Sequence, residues 1–308
     1  MGKTIVIHHR ADYDGIFCRE IAHKFLGDQA LYIGWDFGDP APDIPFQPGD
    51  PPTIYILDLP CDRIFGFDFA KCPPGESASG MFQNVVWIDH HKSSIESHPA
   101  NIPGYRIDGV AACRLAWQWF TLMAATPNPE EFGLPSKEQF LERKVSEPLA
   151  VRLAGEYDVW DHRGDGDLEF QFGLDSELNL DWNWILNLEH DQYIRALCEH
   201  GRAARNCYTK RDADIMRSRS FIVEFEGLKF LTITTARCNS NTFAAKDVPE
   251  TGHDALMAFY YNGRTWIVSL YHAVHRKDID LSKIAVKYGG GGHRGACGFQ
   301  CNKLPFIS

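Results

Sequence analysis

The chain has 308 residues, 44% of them hydrophobic, so it can bury a large core, and its length predicts two domains. No stretch approaches about 20 consecutive apolar residues and the start shows no signal-peptide pattern, so we expect a cytoplasmic protein without a membrane partner. A formal net charge of −10 disfavours binding of a long duplex nucleic acid, whereas a short anion can still enter a metal-lined cleft.

The cysteines also exclude certain classes of protein. Nine of them are scattered along the chain without CxxC pairs or regular spacing. Disulfide scaffolds and zinc–thiolate sites need patterned cysteines, so we predict reduced thiols.

Four apolar segments with high β-propensity occur within the first ninety residues. They are Thr4–His8, Ala30–Trp35, Thr53–Asp58 and Asn84–Asp89. Continuous apolar runs of this length indicate a parallel sheet that is covered on both faces. The sequence therefore predicts an α/β amino-terminal domain with flanking helices, the first of which follows Gly15 and ends near Gly27.

The middle of the chain is predicted to be helical. The proline-rich segment Asp39–Pro52 predicts a surface loop, because each proline removes a backbone donor. Helical patterns then occur at Val110–Phe120, Lys137–Lys144 and Leu149–Tyr157. The segment Gln192–Arg219 contains no turn cluster, so it predicts a helical connector.

Strand patterns return after the connector, at Ser220–Phe225, Leu228–Thr235, Ala255–Tyr261 and Thr265–Tyr271. The pair Asn262-Gly263 predicts a hairpin. A short helix, Leu281–Tyr288, precedes the glycine segment, Gly289–Gly295, which we interpret as a loop before the strand Ala296–Gln300. We expect a smaller mixed α/β carboxy-terminal domain and divide the chain into residues 1–190, 191–219 and 220–308.

The first polar cluster follows the first strand. His8, Asp12 and Asp14 offer three hard or borderline ligands on one strand-to-helix loop, which is the usual ligand position in open α/β sheets. The alternative is that the histidine ends the strand and the aspartates cap the next helix. Both interpretations stay open for this cluster alone.

Two more strands end in similar residues. Asp58 closes one apolar run and Asp89-His90-His91 closes another. Asp58 alone could be a turn residue, but three clusters at one sheet edge favour a shared site for two metal ions. In such a site a bridging carboxylate lets the ions activate a water and stabilise phosphoryl charge, and Asp58 is the best-placed bridge. We select Asp158 over Asp161 as a further acid, although either could be a solvated surface residue.

Taken in order, these motifs resemble the DHH phosphoesterase superfamily with a DHH-associated C-terminal domain. The resemblance rests on His8-x-x-x-Asp12-x-Asp14, Asp58, Asp89-His90-His91, Asp158 and the later Gly-Gly-Gly-His, and it spans most of the chain. The subgroup includes nanoRNases, pAp phosphatases, cyclic-dinucleotide phosphodiesterases and the exonuclease RecJ.

The resemblance implies a role for each of these residues. One Mn²⁺ would be held by His8, Asp12 and Asp58, and a second by Asp14, Asp58, His90 and Asp158. Mg²⁺ or Co²⁺ are alternative ions. His91 would contact the scissile phosphate, and Asp89 would orient the histidines, so both join Asp58 as candidate catalytic residues. His9 has no counterpart in the family and is interpreted as structural.

The glycine segment is the predicted substrate-binding element. Its candidate residues are Gly290, Gly291, Gly292, His293 and Arg294. Glycines allow close backbone approach, and the two charged side chains can donate to a phosphate; a flexible turn is the alternative. Relatives carry an arginine in a stretch resembling SLRS, where this chain has Ser269-Leu270-Tyr271-His272, so Arg276 or Lys277 could supply that charge.

Two further groups favour ordinary structural roles. The connector contains six positive residues, Arg202, Arg205, Lys210, Arg211, Arg217 and Arg219, which we interpret as a solvated helix face, with a wall that guides an oligonucleotide as the alternative. Trp182 and Trp184 could stack a base but are more often core residues.

These observations favour a Mn²⁺-dependent phosphohydrolase that cleaves short oligonucleotides or nucleotides. An exopolyphosphatase, a cyclic-dinucleotide phosphodiesterase and a non-catalytic nucleotide-binding relative remain alternatives. The sequence does not decide whether the chain forms a homodimer.

Overall fold

The computed structural model describes residues 3–44, 52–65, 84–126, 133–236, 238, 242–243 and 252–306. The chain divides into two compact units, Met1–Arg202 and Ala203–Ser308, and each is described by itself.

The first unit is built on a five-stranded parallel sheet. Its strands are β1 (Thr4–His9), β2 (Leu31–Trp35), β3 (Thr53–Leu57), β4 (Val85–Asp89) and β5 (Gly104–Arg106). Their order is β2-β1-β3-β4-β5, with parallel pairing throughout. The α/β class and the parallel sheet are confirmed, and each of the four predicted strands differs by one residue at one end. The three-residue β5 was not predicted, because it is too short to give an apolar run.

Helices flank this sheet. They are α1 (Tyr13–Leu26), α2 (Cys61–Phe65), α3 (Lys92–Ser97), α4 (Ala112–Ala125), α5 (Lys137–Leu141), α6 (Leu149–Asp158), α7 (Asp167–Ser176) and α8 (Trp182–Ile185). The predicted connector is helix α9 (Asp191–Arg219), and the division between the units falls within it. Of the predicted proline-rich loop, residues 39–44 and Pro52 form no helix or strand, and residues 45–51 lie outside the described ranges.

Alternating strand residues explain why the predicted runs are apolar throughout. Val6 and Leu57 belong to a core cluster that also contains residues of α1, α4 and α6. Their neighbours Ile5 and Ile56 belong to a separate cluster that includes Ile64 of α2. Both faces of the sheet are therefore buried, as the sequence predicted.

The second unit contains a six-stranded mixed sheet. Its strands are β6 (Phe221–Phe225), β7 (Leu228–Thr234), β8 (Ala255–Tyr261), β9 (Trp266–His272), β10 (Gly291–His293) and β11 (Ala296–Cys301). The unit also contains the last part of α9 and the short helix α10 (Ser282–Lys287). The strand order is β10-β11-β9-β8-β7-β6, in which only β7 and β8 pair in parallel. The smaller mixed α/β unit and the hairpin at Asn262 are confirmed; Asn262 N donates to Thr265 O at 3.1 Å.

The prediction that the whole glycine segment is a loop is wrong, because Gly291–His293 pairs with β11. A Cβ on Gly292 would lie 2.7 Å from Cys297 Cα, and the residue has a φ of 125°. Glycine is needed there so that the short strand can approach β11.

Two expectations from composition can be compared with the described residues. None of the helices in the described ranges combines the length and apolar character that crossing a bilayer requires. The eight cysteines in those ranges are free thiols, and Cys72 lies outside them.

Candidate metal centre

The carboxyl edge of the parallel sheet collects histidine and aspartate side chains. β1 ends at His9, Asp58 follows β3, and β4 ends at Asp89, directly before His90 and His91. Because the carboxyl ends of parallel strands meet at one edge, these side chains are brought together. We call the resulting cluster the metal centre; its members are His9, Asp12, Asp14, Asp58, His90, His91 and Asp158.

One group of potential ligands consists of His9, Asp12 and Asp58. His9 Nδ1 lies 2.9 Å from Asp12 Oδ2 and 3.4 Å from Asp58 Oδ2. Two ligand atoms bound at right angles to one ion, each at about 2.1 Å, stand about 3 Å apart. These separations therefore suit a small divalent cation.

A second group consists of Asp14, His90 and Asp158. His90 Nε2 lies 3.6 Å from Asp14 Oδ2, 3.3 Å from Asp158 Oδ2 and 3.4 Å from Asp58 Oδ1. A third group joins Asp58 to His90 and His91. Asp58 thus presents Oδ2 to His9 and Oδ1 to His90, which is the arrangement that a bridging carboxylate requires.

Local backbone structure positions Asp58 and Asp12. Asp58 has a φ of 59°, and its N–H donates to Ile88 O of the neighbouring strand at 2.9 Å. Asp12 caps α1, because its Oδ1 accepts the N–H of Gly15 at 3.0 Å, while its Oδ2 faces His9. The capping role and the metal-ligand role considered for this residue are therefore compatible.

Asp14 is held by contacts that the sequence did not indicate. Its two oxygens accept the N–H groups of Ala112 and Cys113, at 2.9 and 2.7 Å, at the amino terminus of α4. Helix amino termini favour negative charge, so this contact orients the buried carboxylate.

Asp89 contacts the histidines that follow it. Its Oδ1 accepts the N–H of His90 at 2.8 Å and lies 2.7 Å from His91 Nδ1. This contact orients the His91 ring, and the catalytic role of Asp89 stays a prediction.

His8 and His9 occupy the opposite places from those expected. His8 belongs to none of the ligand groups found among the described residues, and its Nδ1 lies 2.8 Å from the carbonyl oxygen of His9. His9, interpreted from the sequence as structural, contacts Asp12 and Asp58 instead. The physical reason is that successive residues of a strand project to opposite sides, so only one of the two can face the cluster.

The pKa values of the cluster indicate a shortage of positive charge. Burial and the Asp58 carboxylate raise the pKa of Asp14, and burial raises that of Asp158 to about 7. Burial alone would lower the pKa of His90 and His91, but neighbouring carboxylates outweigh it, so the pKa of His91 rises to about 9 and that of His90 rises well above its usual value. The buried groups therefore retain protons that a cation could replace.

Two polar atoms of the same side chains face charged groups without forming a hydrogen bond. His9 Nδ1 and Asp58 Oδ1 are buried and make no hydrogen bond. Buried polar atoms without hydrogen bonds are costly, and a divalent cation in each of the two ligand groups would satisfy one of these atoms. Imidazole and carboxylate ligands without thiolates suit Mn²⁺, Mg²⁺ or a similar ion. The residues present therefore fit a divalent metal site.

Sequence reasoning missed Asp36, which follows β2 and contacts His9 Nε2 through Oδ1 at 3.3 Å. The signal was present, since the second apolar run, Ala30–Trp35, is also followed directly by an aspartate. Asp161, the alternative to Asp158, instead pairs with Arg163.

The residues predicted to bind substrate lie in the second unit. Gly291, His293 and Arg294 are exposed, and Arg294 donates to the carbonyl of Asp278. Arg276 is paired with Asp254 and Asp278, and Lys277 is exposed.

The arginines of α9 and the two tryptophans make contacts that mostly fit structural roles. Arg211 and Arg217 of α9 pair with aspartates of the same helix, which agrees with a solvated face. Trp182 packs edge-on against Phe17 at 5.0 Å, as a core residue does. Trp184 is partly exposed and contacts His190 at 4.2 Å.

Comparison with known proteins identifies the fold. No family model and no curated protein matches the chain. Among solved structures, a DHH domain from a member of a family of ribosomal proteins is 15% identical, with a TM-score of 0.55 over 98% of this chain and 83% of that one.

Two other solved structures are more distant. An exopolyphosphatase-related protein from Bacteroides fragilis is 14% identical, with a TM-score of 0.46 over 100% of this chain and 88% of that one. A pGpG-specific phosphodiesterase from Vibrio cholerae is 15% identical, with a TM-score of 0.41 over 97% of this chain and 94% of that one.

Proposed function

We propose that this chain, which has the DHH-domain fold, is a phosphohydrolase that depends on two divalent metal ions, with Mn²⁺ as the first choice of ion. Its substrates are short oligonucleotides or nucleotides, in which it cleaves phosphodiester or phosphomonoester bonds. The observation that carries the proposal is the placement of Asp58, whose two oxygens face different ligand groups.

The residues divide into two ligand sets that share Asp58. His9 and Asp12 complete the first set, and Asp14, His90 and Asp158 complete the second. When bound, a pair of such ions lowers the pKa of an attacking water and stabilises charge on the phosphoryl group. The buried carboxylate of Asp14 keeps its position through backbone contacts, so it needs little reorganisation to bind an ion.

His91 is the proposed contact to the scissile phosphate. Its Nδ1–H donates to Asp89, and because the pKa of the ring is raised to about 9, the protonated ring also carries a hydrogen on Nε2, which can donate to a phosphate oxygen. The side chain is partly exposed, in contrast to the buried His90, so a substrate can reach it. Asp89 acts through His91 and is a positioning residue.

The glycine segment is the proposed binding element for another part of the substrate. Gly291 has no atom within 4 Å of the position a Cβ would occupy, so its backbone is open to a ligand. His293 and Arg294 are exposed and can donate charge-assisted hydrogen bonds to a phosphate.

The test is hydrolysis of a graded series with the full chain, stripped of metal and reloaded with Mn²⁺. The series contains pAp, linear dinucleotides, a cyclic dinucleotide, longer single strands and polyphosphate. We expect turnover of the short nucleotides, falling with length, and none without metal. Turnover of polyphosphate alone would replace the proposal by an exopolyphosphatase, and turnover of the cyclic dinucleotide alone by a cyclic-dinucleotide phosphodiesterase. Verified Mn²⁺ binding without hydrolysis of any compound would leave a nucleotide-binding protein.

A further inference from the structure

We infer that Asp36 is a positioning residue of the metal centre. It orients His9, so that His9, and not the adjacent His8, is the imidazole ligand of the first ion. The inference rests on the proposed function, because it concerns a metal ion that this function requires. It adds a residue that directly follows the edge strand β2 to the side chains already described for the site.

The contacts of His9 indicate which of its two ring nitrogens carries the hydrogen. Nε2 lies 3.3 Å from Asp36 Oδ1, and a carboxylate can only accept, so the Nε2 hydrogen points to Asp36. In the neutral ring this leaves the lone pair on Nδ1, which lies 2.9 Å from an oxygen of Asp12. Beside a carboxylate oxygen this nitrogen needs either a proton, which makes the ring an imidazolium, or a metal ion in the place of that proton. This is the carboxylate–histidine–metal arrangement in which the outer carboxylate fixes tautomer and ring orientation.

Asp36 is itself fixed by a closed turn at the end of β2. Its Oδ1 also accepts the N–H of Phe37 at 2.7 Å, and its own N–H donates to Asp39 Oδ2 at 2.9 Å. Arg10 pairs with Asp39 at 3.0 Å. The carboxylate is therefore oriented before any ion binds.

Two neighbouring contacts separate the roles of the histidines. The Phe37 ring meets His9 edge-on, with centroids 5.8 Å apart, and limits rotation of the imidazole. His8 contacts the carbonyl oxygen of His9 through Nδ1, so the main chain holds its ring. Of these two histidines, it is His9 that has one nitrogen engaged by a carboxylate and the other facing the ligand group.

The chain supplies a matched control for the contact between Asp36 and His9. His23 Nε2 lies 2.9 Å from Asp28 Oδ1 at the end of α1, where both side chains are exposed. This pair has the same chemistry but belongs to none of the ligand groups. Asp28→Ala removes the same charge and the same type of contact.

The experiment measures Mn²⁺ binding by calorimetry to the full chain, stripped of metal and without substrate. We expect two ions per wild-type chain, and in Asp36→Ala an affinity for one of them that is weaker by about 10- to 100-fold. Asp36→Asn should recover part of this loss, because its amide oxygen can accept from Nε2. Asp28→Ala should bind like wild type, His9→Gln should lose one ion, and His8→Gln should keep both. Raising Mn²⁺ should restore turnover in Asp36→Ala, which a folding defect would not allow.

Three results would each overturn the inference. The first is equal Mn²⁺ affinity in wild type and Asp36→Ala, and the second is a loss of affinity in Asp28→Ala as large as that in Asp36→Ala. The third is loss of one ion in His8→Gln while His9→Gln keeps both. These results differ from failure of the proposed function. A wild-type chain that binds no divalent ion would overturn both, whereas one that binds two ions and hydrolyses no substrate would overturn only the function.

Discussion

The metal centre of the first unit and the glycine segment of the second differ in how they can meet a ligand. In the metal centre, Asp14 and Asp58 are 2% and 1% exposed, and their charges lie among other charged groups. In the glycine segment, Gly291, His293 and Arg294 are exposed to solvent. Burying several carboxylates is unfavourable without compensating positive charge, while exposing backbone and an arginine carries no such cost.

The comparison separates chemistry from recognition. The buried cluster is useful only if it binds a cation, so its side chains suit catalysis by bound metal. The glycine segment can bind and release an anion without changing buried charge, so it suits contacts that raise affinity. Substitutions in the first region should lower kcat, and substitutions in the second should raise KM.

The largest effect is expected at Asp58, which belongs to two ligand groups. Asp58→Asn should lower kcat by about 10³-fold, because electrostatic stabilisation is usually the largest single contribution to catalysis. The measurement is steady-state hydrolysis of a dinucleotide with saturating Mn²⁺. Asp161→Asn is the control, since Asp161 pairs with Arg163, and it should keep its activity. Near-normal turnover in Asp58→Asn would show that this carboxylate is not the bridge.

A smaller effect, confined to KM, is expected at Arg294. Removing one charge-assisted hydrogen bond, at about 1.5 to 3 kcal/mol, should raise KM about 10- to 100-fold in Arg294→Ala and leave kcat nearly unchanged. The exposed Arg264, in the hairpin of the same unit, gives the control Arg264→Ala with the same loss of charge. A large fall in kcat in Arg294→Ala would contradict the proposed division between chemistry and recognition.

Two glycines of the same strand should respond differently. A Cβ on Gly292 would lie 2.7 Å from Cys297 Cα, so Gly292→Ala should lower the free energy of unfolding by about 1 to 3 kcal/mol. Gly291→Ala meets no atom within 4 Å, so it should fold normally and raise KM. Denaturant unfolding and steady-state kinetics distinguish the two outcomes. Equal stability of both variants would show that β10 does not approach β11 as described.

The smallest expected effect is on pH-dependent stability without metal. Because the pKa of folded His91 is about 9, above its ordinary 6.5, its stabilising contribution is complete below pH 6.5 and is lost as the pH rises through 9. The raised pKa of His90 acts in the same direction. The Tm of metal-free protein should therefore fall by a few degrees over this window, at about 2–4 °C per kcal/mol.

The controls for this shift are a Mn²⁺-loaded sample and a variant. Bound cations favour the neutral imidazoles, so the fall should be smaller in the loaded protein. His91→Gln should also reduce it, since that variant lacks one of the titrating groups. Thermal scans from pH 6.5 to 9 provide the measurement, and a Tm that rises over this window in metal-free protein would contradict the cluster's charge balance.

Local patterns were sufficient for most of the fold. Apolar runs fixed β1 to β4 to within one residue at one end, because a strand buried on both faces has few polar positions. Strand β5 and the pairing of Gly291–His293 were missed, because each segment has only three residues and Gly291–His293 begins with two glycines, which have low β-propensity. Short strands depend on neighbours that the local sequence does not specify.

For the metal centre, the sequence by itself determined which residue types end the central strands and therefore where a cluster would form. Only the tertiary structure decided that His9 faces Asp12 and Asp58, that Asp36 holds its other nitrogen, and that α4 supports Asp14. The physical reason is that strand ends can be predicted from local patterns of apolar residues. The direction of each side chain at those ends depends on backbone turns and on partners contributed by distant segments.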